Sequence, residues 1–157
     1  MSAYEIFDWL ERTGVGESIR NSSWLFPVIE ALHLTGLALL GGTVLLLDLR
    51  LFGVGLTGRS PAYLVGQLRP WLLGALALMA ATGIPLFLSE ALKCYASPAF
   101  QLKMAALALA LAFTFGIRDR VAAQLPDSAS WRTRGLGAVS SSLWLTVAAA
   151  GRWIGFS

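Results

Sequence analysis

Five ionisable side chains, Glu30, His33, Glu90, Lys103 and Arg152, lie in or beside long apolar runs. Such groups are costly in an apolar surround, and where they persist they mark a site or a pairing. Glu30 and His33 are three residues apart, so on a helix they share a face and can touch. His33 is the only histidine. Its imidazole can ligate haem or copper, carry a proton, or pack through hydrogen bonds. Haem held by two histidines is excluded within one chain, so a haem on His33 would take Met104, Lys103, water or an open position opposite. Copper(I) suits imidazole with thioether, which brings in Met79 and Met104, although Met79 lies at another depth. The candidate cofactor-binding residues are therefore His33, Glu30, Lys103, Arg152 and Met104, with His33 the candidate metal ligand. Equally, two acids and two bases at similar depth, Glu30 and Glu90 with Lys103 and Arg152, can pair as internal salt bridges that fix helix register. A third option lets Lys103 and Arg152 snorkel to the surface.

The elements that must position these groups are membrane-length helices. About 20 apolar residues cross the hydrocarbon at 1.5 Å each, and Trp24 to Leu47 supplies that length with only Glu30 and His33 against it. Residues 24–48, 70–93, 99–117 and 136–155 read as four spans, preceded by an N-terminal interfacial segment over 1–23. That segment is acidic, lacks the basic start of a cleavable signal peptide and is expected to stay attached. Its Tyr4, Phe7, Trp9 and Leu10 gather on one side of a short helical pattern, which suits an interface. Gly53, Gly55, Gly58, Ser60 and Pro61 mark a loop, and a short amphipathic turn is expected over 62–68. Pro70 suits a first helical position, and Pro85 predicts a kink near Thr82 or Gly83. A turn is expected through Pro126 and Asp127. Small residues recur four apart as Ala38 with Gly42, Ala77 with Ala81, Ala106 with Ala110 and Gly137 with Ser141, which predicts close helix packing.

Composition agrees with a membrane protein in a single domain: 157 residues, 56% hydrophobic and only 13% charged. The twelve Lys and Arg are spread between helices, so no nucleic-acid patch is expected. One cysteine, Cys94, allows no internal disulfide and, with one histidine, no four-ligand zinc site. Phosphate-binding glycine loops, nucleophile elbows and metalloprotease helices are absent. Seven basic residues fall in the segments after the first and third spans, and five on the opposite side. The basic loops are thus expected in the cytoplasm and both termini on the periplasmic side. Asp48, Arg50, Arg69, Arg118, Asp119 and Arg120 would then form a salt-bridged cytoplasmic rim. By helix rise, Glu30 would lie roughly 9 Å and His33 roughly 13 Å below the outer interface.

The runs FPVIEALHLTGLALLGG, DLRLFG, SPAFQLKMAAL and AAAGRWIGF resemble an uncharacterised family of small bacterial four-helix membrane proteins. That resemblance spans nearly the whole chain, with Glu30, His33, Asp48, Arg50, Lys103, Gly151 and Arg152 as its motif residues. More distantly, a histidine in the first helix and a lysine opening the third is similar to the HemJ-type protoporphyrinogen oxidases and the membrane domain of the copper-resistance D family. The first of these implies haem b and quinone-linked redox work with His33 and Lys103 in ligand or pocket positions. Such chains would carry a second histidine that this one lacks.

The expectation is an all-α integral four-helix bundle of the bacterial inner membrane with an outer-side polar pocket. In it His33 contacts haem b or a quinone, Lys103 and Arg152 bind propionate or carbonyl oxygens, and Glu30 orients the imidazole. The first alternative is a non-catalytic subunit or assembly factor, with the charges fixing packing and the small-residue faces recruiting another membrane protein or a second copy. The other is proton or solute passage through an oligomer.

Overall fold

A computed structural model describes residues 2–125 and 130–156, so the turn expected at Pro126 and Asp127 lies outside the described residues. Helices begin where the chain supplies caps. The hydroxyls of Ser2, Thr13, Ser60, Ser97 and Ser130 each accept a backbone N–H from three residues on, and prolines follow two of them. Each such cap satisfies one of the amides that a helix start leaves unpaired. The elements are α1 (Ala3–Glu11), α2 (Gly14–Arg20), α3 (Leu25–Phe52), α4 (Pro61–Ser89), α5 (Ala91–Ala96) and α6 (Pro98–Phe113), then a π turn (Thr114–Arg118), α7 (Asp119–Ala122) and α8 (Trp131–Trp153). A 3-10 turn, Ile154–Phe156, closes the described chain, and no strand occurs among the described residues.

Three stretches are long and apolar enough to cross a membrane: Leu25–Phe52, Pro61–Ser89 and Pro98–Ala122. The chain is therefore all-helical with membrane-spanning character. Helix α8 occupies the expected fourth position but is not among the three, because Arg132, Arg134, Ser140, Ser141, Ser142 and Thr146 lower its hydropathy. The second span begins at Pro61, nine residues before the expected start, because Ser60 caps it and Pro61 takes the first turn. Pro70 and Pro85 both stay inside this helix, each removing one backbone bond. No separate turn over 62–68 forms. At the other end the helix breaks at Glu90, φ −137° and ψ 40°, instead of continuing to Lys93.

The N-terminal segment is two docked helices. Phe7 packs its ring 5.9 Å from Phe87 and 4.9 Å from Tyr95. Glu11 accepts the Leu92 amide at 2.7 Å, capping α5 from across the fold. Arg20 donates to the carbonyls of Ser89 and Glu11 at 3.0 and 2.7 Å. These three tie 1–23 to the α4–α5 break.

Helix α3 packs chiefly on α4 and α8, and α6 on α8. The middle layer is apolar: Leu40, Val44, Leu72, Ala75, Ala106, Ala110, Trp144 and Val147. The small-residue pairs divide. Ala106 and Ala110 are buried, as is Gly137, whereas Ala38, Gly42, Ala77 and Ala81 face outward. Close α3–α4 approaches use Gly36 and Gly83 instead; an added Cβ at Gly36 would stand 3.3 Å from Leu78 and Met79.

Candidate functional site

The bundle carries polar groups at two levels with the apolar layer between them. Along α3 the order is His33, then Leu40 and Val44, then Asp48; along α6 and the π turn it is Lys103, then Ala106 and Ala110, then Arg118. His33 and Asp48 are 15 residues apart, roughly 22 Å along the helix.

At the first level His33 is half-buried against α4. Its Nδ1 lies 2.8 Å from the Thr82 hydroxyl oxygen, and that hydroxyl lies 2.7 Å from the Leu78 carbonyl. A hydroxyl has one proton, and a carbonyl can only accept. Thr82 therefore donates to Leu78 and accepts from His33, which puts the neutral ring's proton on Nδ1 and leaves Nε2 with a lone pair. The ring is also held in place by backbone, since a Cβ on Gly83 would come within 3.1 Å of Cε1.

Lys103 is half-buried, with its alkyl chain laid over Gly151, where a Cβ would stand 3.5 Å from Cε and 3.7 Å from Nζ. Its ammonium is within coulombic range of His33, and no carboxylate forms an ion pair with it among the described residues. The fold thus places His33 on α3 and Lys103 on α6 at one level, near enough to act on each other through charge and without a hydrogen bond between them. Glu30 and Arg152 are exposed, and Met104 is 47% exposed. Among the described residues Glu30 forms no ion pair with Lys103, and no group of three His, Cys, Asp or Glu side chains is placed to hold a metal.

The second level is a buried ion network. Arg118 donates Nε to Asp119 at 3.0 Å and Nη1 to Ser140 at 3.1 Å and to Asp48 at 3.4 Å, while Ser141 donates to the other Asp48 oxygen at 2.9 Å. Asp48 is 0% exposed and Arg118 2%. This is interior structure linking α3, the π turn, α7 and α8, where the sequence suggested a rim. Trp144 donates its indole N–H to Thr114 in the same π turn at 3.1 Å. A cavity of about 10 Å³ beside Arg118 and Asp119, toward Arg69 of α4, has room for about one water.

Near the tail, Cys94 is buried in α5. Burial, reinforced by the Glu90 carboxylate, pushes its thiol up to about 11, so it stays protonated and unreactive at neutral pH. Cys94 adds no nucleophile or ligand to the His33 level.

The sequence gives no reason to expect the hydrogen-bonding roles of Thr82, Ser140 and Ser141; it marks Thr82 only as a kink position and Ser141 only as a small packing residue. The only sequence signal of those roles is a hydroxyl inside an apolar span. No curated protein and no solved structure matches this chain. Residues 6–157 match the family described as a family of unknown function, DUF6644, and the chain belongs to that family.

Proposed function

We propose that this protein is an integral protein of the bacterial inner membrane, with both termini on the periplasmic side, that binds a quinone at His33 and Lys103 in a redox-linked role. The observation that carries this reading is the Thr82 relay. With Nδ1–H committed to Thr82, Nε2 is the ring's acceptor and takes a hydrogen bond from a ligand hydroxyl. Lys103, lacking an acid partner among the described residues, donates to a ligand carbonyl oxygen. A quinone, when bound, supplies a carrier for two electrons and two protons. Thr82 and the α4 backbone at Gly83 keep the ring from turning, so Nε2 stays aimed while a proton arrives or leaves there. The excess of basic residues beside the Asp48 level supports the orientation.

Haem b would be held through the same Nε2 of His33. The chain offers no second histidine and Met104 is exposed, so the donors fit a hydrogen-bonded ring better than an iron. Passage of protons or solutes is disfavoured by the apolar layer between the two polar levels. A non-catalytic subunit is the second reading, favoured by the Asp48–Arg118–Asp119 network, which locks packing and leaves no hydrogen-bonding atom unmet among the described buried side chains.

Titration of the detergent-purified protein with a short-chain quinone, followed by tryptophan fluorescence, tests this reading. His33→Leu removes one hydrogen bond and is expected to weaken binding about tenfold, and Lys103→Met, which removes a charged donor, by about tenfold to a hundredfold. Unchanged affinity in both variants, with unchanged helicity, would contradict it.

A further inference from the structure

A groove of about 380 Å³ lies between the α2–α3 link and the end of α4. Its polar walls are Arg20, Ser22, Ser23 and Glu90, and its apolar ones include Ile19 and Phe26. Beside it Trp24, 64% exposed, begins α3; tryptophans concentrate at the membrane interface. The groove therefore sits at headgroup level.

Its polar groups divide by charge. Arg20 spends two donors on the Ser89 and Glu11 carbonyls and lies 3.9 Å from the Glu11 carboxylate, a long pairing that still leaves others of its five N–H groups for a ligand. Ser22 accepts the Leu25 amide and keeps its own proton to donate. Ser23 is exposed and adds a second hydroxyl. Glu90 is half-buried and pairs with no cation among the described residues, so it can only accept. An anion is met at one wall, an N–H cation at the other, and hydrocarbon at Ile19 and Phe26.

We propose that this groove binds the headgroup of a phospholipid carrying a primary ammonium. The phosphate lies on Arg20, Ser22 and Ser23, the ammonium on Glu90, and the glycerol and first acyl carbons against Phe26 and Ile19. Choline offers no N–H to Glu90, and a glycerol headgroup brings no cation; both are bound less well. The site is separate from His33, since Phe26 and Ser89 lie seven residues, roughly 10 Å, from His33 and Thr82.

The test is native mass spectrometry of the full chain, delipidated in detergent and given equal amounts of phosphatidylethanolamine, phosphatidylcholine and phosphatidylglycerol. The expected result is about tenfold enrichment of phosphatidylethanolamine, lost in Glu90→Gln. Because Glu90 adjoins the α4–α5 break, Ser23→Leu, at an exposed position outside the helices, is the second variant; it fills the groove and is expected to reduce retention of the lipid. Displacement by free phosphoethanolamine only in large excess would assign the site to lipid. Free phosphoethanolamine binding as tightly as the lipid would assign it to a soluble ligand and overturn the proposal. Equal retention of the three lipids, or a preference unchanged in both variants, would overturn it too.

Discussion

Asp48→Asn or Arg118→Leu is expected to cost the fold about 3–5 kcal/mol, the usual penalty for removing one partner of a buried ion pair. Arg118 lies between two carboxylates, Asp48 at 3.4 Å and Asp119 at 2.9 Å. Removing it leaves two buried acids with no counter-ion in that network, and Asp48 is wholly cut off from solvent. Replacing Asp48 by Asn removes one of the guanidinium's two carboxylates and leaves a single amide oxygen to accept from Arg118 or Ser141. Ser140→Ala deletes one hydrogen bond to a charged group and is expected to cost less, about 1.5–3 kcal/mol. Arg120, two residues further along and exposed, is the control: Arg120→Leu is expected to be close to neutral. Unfolding midpoints in detergent, read by circular dichroism, check the order. An Asp48→Asn protein as stable as Arg120→Leu would show that the network contributes nothing.

Gly16→Ala is expected to undock the N-terminal helices while the bundle persists. A Cβ at Gly16 would fall 2.5 Å from the Leu88 carbonyl oxygen and 2.8 Å from that of Glu11. Both obstacles are backbone, so α2 itself must lift, at a cost of about 1–3 kcal/mol for forced overpacking. The movement also pulls away Arg20 from Ser89, Glu11 from the Leu92 amide and Phe7 from Phe87. Hydrogen exchange over residues 3–20 and at the start of α5 is expected to rise, at least tenfold over 3–20, with α3, α6 and α8 unchanged. Equal protection of the segment in variant and parent would contradict the docking.

What was legible in the sequence was whatever depends on composition along one helix. The all-α class, the three long apolar stretches and the oddity of His33 in one of them follow from counting residues against a span. Contacts across helices were not legible, because they depend on how each helix is rotated. Thr82 in isolation is a helical threonine bonded to its own carbonyl, a common local arrangement; only the α3–α4 packing shows that it also receives His33. Arg118 is the sharper case. The π turn Thr114–Arg118 adds a residue to the helical repeat, which rotates everything after it by about 100°. The sequence placed Arg118 in a rim because the apolar run ends just before it; the helix instead continues through the π turn into α7 and carries Arg118 into an interior network. Glu30 shows the reverse error. Its spacing from His33 permits contact, yet the fold leaves Glu30 exposed, without an ion pair among the described residues. The start of α4 was obscured by Pro70, which fits a first helical turn as well as Pro61 does; the capping hydroxyl of Ser60 favours the earlier one.

The most direct measurement is the ultraviolet and visible spectrum of the protein purified in mild detergent, before and after chemical reduction, with mass spectrometry of its solvent extract. A quinone band that bleaches on reduction, near one quinone per chain, and is lost in His33→Leu is the predicted result. A folded wild-type preparation that yields no quinone, or whose spectrum shows instead a haem Soret band abolished by His33→Leu, would contradict quinone binding at His33.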